Sequence, residues 1–183
     1  MINSIILSGL PLSGKTTLAK KLGEMYHWHI YAIGQLWRDQ WKEQYPKGEV
    51  SFEEFWRGVP LKDQQKINVK AREIFKAGNV IGDSRYSIYC KDLPSLLVFV
   101  TADLKIRAQR AHLKYPGKSM EDIEHILQGR ENDELTVGKQ LYGNNFDYRD
   151  SAHYHLSLNS GMLSVEEEVA AIEKVITLHG MRK

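Results

Sequence analysis

The sequence predicts a three-layer α/β domain in which helices cover both faces of a five-stranded parallel sheet. Five short apolar segments, bounded by turn residues or polar segments, have the length and the Val, Ile, Leu, Phe and Tyr content of buried strands. They are Ser4 to Ser8, His29 to Ile33, Asn79 to Gly82, Leu96 to Val100 and Tyr154 to Leu158. Segments of helical periodicity lie between them, and this alternation is typical of a parallel sheet with right-handed crossovers.

Apolar residues at helical spacing identify the helices that connect these strands. Three apolar stripes stand out: Leu18, Leu22 and Met25; Ile67, Ala71, Ile74 and Phe75; and Val165, Val169, Ile172 and Ile176. Helix starts are predicted at Ser51, Ser119 and Ser164, because each is followed three residues later by a carboxylate that can complete a capping box. Gly78 follows the second stripe and predicts a helix end.

The bulk composition is that of one globular domain. The chain has 183 residues, of which 42% are hydrophobic and 26% are charged, which is ordinary for a protein with a sizeable core. A net charge of +2 favours neither a nucleic acid nor a membrane surface as a partner. No apolar segment approaches the roughly 18 residues of a membrane helix, and the single cysteine, Cys90, excludes an internal disulfide. We therefore expect a cytoplasmic protein, with a monomer slightly favoured.

A complete phosphate-binding loop follows the first predicted strand. Residues 9–16 read G-L-P-L-S-G-K-T and lead directly into a helix, which is the context that the pattern G-x-x-x-x-G-K-[ST] requires. The glycines let backbone N–H groups point at phosphate oxygens, the lysine reaches the β- and γ-phosphates, and the Thr hydroxyl binds Mg²⁺. The predicted contacts to ATP come from Gly9, Leu12, Ser13, Gly14, Lys15, Thr16 and Thr17. The sequence thus predicts a P-loop fold that holds a nucleoside triphosphate.

Charged residues that follow other strand ends extend this site. Asp83 closes the third predicted strand, where a carboxylate can orient Mg²⁺ and its waters together with Thr16. Arginines recur in the same way after the strands, namely Arg38, Arg85, Arg107, Arg110 and Arg130. A phosphoryl-transfer enzyme must neutralise a donor and an acceptor phosphate while it holds them in line. This recurrence therefore favours phosphoryl transfer over simple nucleotide binding.

Further motifs follow the loop in a fixed order along most of the chain. They are Tyr31 to Arg38, Ser51 to Phe55, Ala77 to Arg85, Arg107 to Arg110, Arg130-Glu131, Leu141 to Gly143 and Tyr154 to Ser160. Only the phosphate loop is specific by itself, but the ordered set is much more specific than any of its members. The set resembles the nucleoside monophosphate kinases, and within them the cytidylate kinase-like branch of archaeal type.

The resemblance implies a reaction in which ATP-Mg²⁺ and a nucleoside monophosphate, CMP or dCMP, give ADP and the diphosphate. It implies that Arg38 and Arg85 hold the acceptor phosphate and that Asp83 serves the metal or the acceptor. Arg107 and Arg110 would lie near ATP, and Asn159 to Gly161 would pass beside the donor base. The catalytic set would be Lys15, Asp83, Arg85 and Arg130.

The resemblance also implies the organisation of the chain. We expect one P-loop kinase domain over residues 1–183, with an acceptor-binding insertion at 34–78 and a lid region at about 115–148. Ligands bind beyond the carboxyl ends of the strands in such sheets, so both long connections are natural covers for a substrate. The insertion contains five aromatic residues that either stack on a base or, as we favour, pack against the sheet: Trp37, Trp41, Phe52, Phe55 and Trp56.

The sequence departs from the family in the lid. Family members place several arginines just after the Arg-Glu pair, whereas this chain has Leu135-Thr-Val-Gly138 there. An arginine of this kind contributes about 10³–10⁵ in rate. Lys139 and Arg149 are candidate substitutes.

Two alternatives remain open at this point. One is a P-loop kinase for another small acceptor, such as a nucleoside, a sugar acid or shikimate. The other is a nucleotide-binding protein whose lid has lost its catalytic arginines. A GTPase is disfavoured, because Thr101-Ala-Asp-Leu104 stands where the guanine-reading Asn-Lys-x-Asp motif would follow the fourth strand.

Overall fold

All five predicted strands join one parallel sheet. The structure is a computed structural model that describes residues 2–179. Its strands are β1 Ser4–Gly9, β2 His29–Ala32, β3 Val80–Asp83, β4 Ser95–Thr101 and β5 Leu156–Asn159, in the order β2-β3-β1-β4-β5. The predicted fold class is therefore confirmed.

Seven α-helices connect or follow these strands in the described part of the chain. They are α1 Lys15–Tyr26, α2 Ile33–Gln44, α3 Phe52–Gly58, α4 Leu61–Ala77, α5 Leu104–Ala111, α6 Met120–Tyr142 and α7 Val165–His179. The connection from β2 to β3 thus contains three helices, and α5 and α6 lie between β4 and β5. Within residues 2–179 no helix is both long and apolar enough to cross a membrane.

The register of β1 places the phosphate loop beside the end of β3. Leu7 pairs with Asp83 on one side of β1, and Gly9 pairs with Val100 on the other. Because parallel strands end at the same edge of a sheet, the loop and Asp83 meet there.

The two faces of the sheet bury separate cores. Along β1, Ile5 and Leu7 face α1 and α7, while Ile6 faces the helices of the β2–β3 connection. Phe75 of α4 is fully buried on that second face. Both cores are built from residues whose alternation along the strand sends them to opposite faces, which gives the three layers.

The predicted helix ends agree closely with the structure. Ser119 and Ser164 form complete capping boxes with Asp122 and Glu167, and the Ser51 hydroxyl accepts one hydrogen bond, from the Glu54 backbone N–H at 3.2 Å. α4 ends before Gly78, whose φ of +85° favours glycine.

Several strand bounds of the sequence prediction were wrong. β3 begins at Val80, because Asn79 has a positive φ of 54°, and it extends to Asp83. Ile33 begins α2 instead of ending β2. β5 begins at Leu156, because a short 3-10 turn precedes it and Tyr154 turns its hydroxyl to the Tyr148 carbonyl at 2.6 Å and the Ser8 hydroxyl at 2.9 Å.

Candidate active site

The phosphate loop has the backbone geometry that its glycines predict. Gly9, Leu12 and Gly14 all have positive φ, of 138°, 60° and 94°. A Cβ atom at Gly9 would collide with the backbone carbonyl of Val100 on β4. Gly9 is therefore required both by its φ and by the close approach of the neighbouring strand.

Lys15 is folded back on its own loop. Its ammonium group donates to the carbonyl oxygens of Gly9 at 3.0 Å and Leu10 at 2.7 Å, and to the Ser13 hydroxyl at 3.4 Å. Burial, and next to it the charge of Arg85, lower the Lys15 pKa to about 7. An anionic ligand in this loop would raise the Lys15 pKa again, so the loop favours an anion.

The two predicted magnesium residues are in direct contact. The Thr16 hydroxyl donates to Asp83 Oδ2 at 3.0 Å, and oxygen ligands of this kind suit Mg²⁺. Within residues 2–179 no cluster of three or more His, Cys, Asp or Glu side chains forms a ready metal cage. The pair fits a Mg²⁺ ion that takes its other ligands from phosphate oxygens and water.

One cleft of about 760 Å³ lies in front of the loop, within the size range of small-molecule binding sites. The structure brings most of the predicted site residues together on its wall: Leu12, Ser13, Gly14, Lys15, Thr16, Thr17, Arg38, Asp83, Arg85, Arg110 and Arg130. Gly9 and Arg107 lie outside that lining, so their predicted contacts with ATP would be indirect.

Arg85 and Arg130 converge on one carboxylate that the sequence analysis did not single out. Glu134 of α6 is 3% exposed, forms an ion pair with Arg85 and accepts from Arg130 Nε at 3.0 Å. Its second oxygen accepts from the Tyr148 hydroxyl at 3.2 Å. Burial and the nearby Arg85 charge lower the Arg130 pKa to about 10. Glu134 therefore orients two cations toward the cleft.

Arg38 and Arg85 retain capacity for an anionic ligand. The Arg85 Nε is buried and has no partner among the described residues, a costly state that a phosphate oxygen would relieve. Arg38 donates to Gln35 Oε1 from Nε at 3.2 Å and from Nη2 at 3.1 Å. Burial lowers the Arg38 pKa, with Asp83 opposing this effect and Arg85 adding to it, so the three groups share one electrostatic environment.

The two arginines of α5 have different positions. Arg107 is 4% exposed and bonds to the carbonyl oxygens of Ala102 at 2.9 Å and Pro11 at 3.3 Å, and to Glu131 at 2.5 Å. It therefore supports the loop from behind. Arg110 lies at the cleft and donates to the Ser160 hydroxyl at 2.9 Å and the Leu12 carbonyl at 3.3 Å.

The arginine-poor lid segment has a packing role. Leu135 and Val137 pack into an aromatic cluster with Tyr86 and Tyr148. Neither proposed substitute lies on the cleft wall: Lys139 is exposed, and Arg149 is paired with Asp147 at 2.7 Å. Arg130 is thus the lid arginine that faces the cleft.

The aromatic residues of the β2–β3 connection pack in the core, and three of them also line the cleft. Trp37 and Phe55 are buried in the core on that face, as we favoured. Trp37, Phe52 and Trp56 also line the cleft, and the Arg130 guanidinium lies 6.0 Å from the Phe52 ring centroid. These side chains therefore contribute apolar surface to the cleft, and the Phe52 ring also contacts a cation.

A cleft that places a triphosphate loop opposite clustered arginines is suited to phosphoryl transfer between two anionic substrates, and the molecule is a P-loop kinase.

Sequence comparison gives the family. The chain is 33% identical to the cytidylate kinase of Pyrococcus horikoshii, covering 94% of this chain and 87% of the relative. It is 30% identical to the cytidylate kinase of Methanopyrus kandleri, covering 94% and 92%. The chain therefore belongs to the cytidylate kinase family, and it is a nucleoside monophosphate kinase.

Solved structures agree on the fold. A shikimate kinase from Bacteroides thetaiotaomicron superposes with a TM-score of 0.61 at 14% identity, over 95% of this chain and 98% of that one. An uncharacterized protein from Eubacterium ventriosum superposes with a TM-score of 0.67 at 15% identity, over 97% and 99%. No protein-family model matches the chain.

Proposed function

We propose that this kinase transfers the terminal phosphoryl group of ATP to CMP or dCMP with the help of Mg²⁺. The observation that carries the proposal is the single cleft in which Lys15 and the Thr16–Asp83 pair face Arg38, Arg85 and Arg130. At the phosphate-loop end of the cleft, the lysine and the Thr16–Asp83 pair would bind a triphosphate and its metal. The arginines in the rest of the cleft would bind a monophosphate.

At the donor end, the triphosphate would replace the carbonyl groups that now accept from Lys15. The lysine would regain its full charge beside the β- and γ-phosphates, because an opposite charge raises the pKa of a buried ammonium group. Mg²⁺ would be held by Thr16 and phosphate oxygens, with Asp83 orienting it directly or through water.

At the acceptor end, Arg38 and the unpartnered Nε of Arg85 would bind the monophosphate. An oxygen of that phosphate attacks the γ-phosphorus, the bond from this phosphorus to the β-bridging oxygen breaks, and ADP leaves. Charge on the transferring group would be stabilised by Lys15 and Arg130. Arg130 would replace the missing lid arginines, since Glu134 already holds it at the cleft.

Two buried amides support a cytosine acceptor. Gln64 and Asn68 of α4 are each 4% exposed and line the cleft. Their amide nitrogens donate to the Val59 carbonyl at 3.2 Å and the Tyr142 hydroxyl at 2.8 Å, which leaves the amide oxygens as acceptors. The amino group of cytosine can donate to such oxygens, whereas the corresponding oxygen of uracil cannot.

A panel of acceptors tests this function. With saturating ATP-Mg²⁺, we expect ADP release to require a nucleoside monophosphate, with CMP or dCMP giving kcat/KM at least about tenfold above UMP. The Arg38→Ala variant should raise the KM for CMP and leave the KM for ATP nearly unchanged. Turnover with shikimate or a nucleoside, and none with CMP, dCMP or UMP, would overturn the proposal.

A further inference from the structure

Glu168 is a buried carboxyl group that the phosphoryl-transfer chemistry does not use. It lies on α7, is 1% exposed, contributes to the cleft wall, and its Oε1 has no partner among the described residues. The neighbouring acids are both engaged. Glu166 lies 3.8 Å from Lys21, and Glu167 caps α7 through Ser164.

The position of Glu168 on its helix makes this burial unusual. Val165, Val169, Ile172 and Ile176 form the apolar face that packs against the sheet and α1. A residue at 168 lies on the same side of the helix as Val165 and Ile172, three residues before it and four residues after it. An apolar side chain would serve that packing at lower cost, because a buried polar group without a partner is destabilising.

The surroundings of Glu168 form the donor end of the cleft. The cleft wall also includes Arg110, Ser160, Leu163, Ser164 and Val165, and Arg110 lies close enough to Glu168 to influence its pKa. Ser160 is fixed to the phosphate loop, since its hydroxyl donates to the Ser13 carbonyl at 2.7 Å. A triphosphate in the loop would therefore direct its base toward this wall, away from the acceptor arginines.

We propose that the Glu168 carboxyl group recognises the Watson–Crick edge of the donor base and selects adenine over guanine, an inference that rests on the proposed ATP-dependent function. A neutral carboxyl group presents one acceptor and one O–H donor. Adenine presents the complementary pair, its amino group and ring N1. An ionised carboxylate, which only accepts, would instead suit the ring N–H and amino group of guanine.

The electrostatic surroundings favour the neutral form. Burial raises the Glu168 pKa to about 7, and the charge of Arg110 on α5 opposes this shift. On α1, the facing cation Lys21 is engaged with Glu166. Adenine bound in this way would hold the proton on Glu168 and raise its pKa further.

The test is the dissociation constant of ATP-Mg²⁺, measured by calorimetry without acceptor at pH 6 and pH 8.5. Glu168→Gln presents the same acceptor and donor but does not titrate. Both proteins can lose ATP affinity between pH 6 and pH 8.5. We expect the loss in the unmodified protein to be about tenfold larger than the loss in Glu168→Gln. Titration of Lys15 is common to both proteins and cancels in this comparison. Glu168→Ala should weaken ATP by about tenfold at pH 6.

The matched control is Glu166→Gln on the same helix, which should behave as the unmodified protein. The inference is overturned if Glu168→Gln shows the same pH dependence as the unmodified protein. It is equally overturned if both Glu168 variants bind ATP and GTP as the unmodified protein does. Melting temperatures verify folding, and if Glu168→Ala fails to fold, the glutamine variant still decides. This calorimetry contains no acceptor, so its result does not depend on which acceptors are phosphorylated in the acceptor panel.

Discussion

At the residue scale, positive charge in the cleft is organised by a buried carboxylate. The Lys15 pKa is lowered first by burial and then by the charges of the nearby Arg85 and Arg130. Cations in a poorly solvated site repel one another strongly. Glu134 offsets part of this charge and fixes the direction of both arginines. Bound phosphates would offset the remainder, so the free site is electrostatically prepared for anions.

Glu134→Gln should therefore act mainly on the rate. The amide keeps the shape of the side chain but no longer fixes two guanidinium groups, so we expect kcat to fall about 10- to 100-fold. The KM for ATP should change less than about threefold, because Glu134 does not contact the phosphate loop. Steady-state kinetics over both substrates measures this separation.

Asp133→Asn is the control for that variant. Asp133 lies next to Glu134 and lines the same cleft, but its carboxylate forms a partly exposed ion pair with Arg57 at 2.7 Å, and such pairs contribute little. We expect near-normal kcat from it. A Glu134→Gln protein that folds and retains full kcat would refute the positioning role.

The sequence identified those site residues that belong to a recognisable motif or follow a predicted strand. The phosphate loop is a contiguous motif, and Asp83 and Arg85 follow a strand end that topology brings to the same edge. Glu134 and Glu168 lie within helices among other acids, and their burial is set by packing with distant elements. The sequence signal for Glu168 was its position between Val165 and Ile172, at helical spacing from both members of an apolar stripe.

At the element scale, the segment predicted to be a lid contains one continuous helix, α6, and aromatic packing holds its last turns. Gly138 allows this, since a Cβ atom there would lie 2.5 Å from Phe146 Cε1 and 3.3 Å from Tyr86 Cε1. The helix thereby carries Arg130 and Glu134 on a supported surface.

Gly138→Ala should destabilise the protein, although alanine is the better helix former. We expect the lost ring packing to outweigh the propensity gain, with a net loss of about 1–2 kcal/mol in the free energy of unfolding. Chemical denaturation measures it. Gly129→Ala on the same helix is the matched control, because nothing lies within 4 Å of its added Cβ, and it should gain about 0.5–1 kcal/mol. Equal stabilisation by both changes would contradict this account of α6.

The elements themselves were predictable to different degrees. Buried parallel strands leave continuous apolar segments, so all five were found. The start of β5 was misplaced because tyrosine is common in strands, whereas Tyr154 precedes β5 and its hydroxyl donates to Ser8 and Tyr148. The packing of Leu135 and Val137 could not be read locally, since their aromatic partners come from other segments.

At the scale of the whole molecule, the strand order determines where the substrates meet. β1 lies between β3 and β4, so the phosphate loop is flanked by Asp83 at the end of β3. On its other side lie Arg110 of α5, the helix that follows β4, and Ser160 directly after β5. The helices between β2 and β3, together with α6, form the opposite wall of the cleft. We expect this one continuous cleft to hold both substrates in line for transfer.

A bisubstrate ligand tests this central claim most directly. Calorimetry should compare ATP, CMP and an adenosine–cytidine dinucleotide linked by five phosphates, with a two-phosphate analogue as the control that is too short to span both sites. Because linkage makes the second binding event intramolecular, we predict that the five-phosphate ligand binds at least about 100-fold more tightly than ATP. Binding no tighter than that of ATP would contradict a shared cleft.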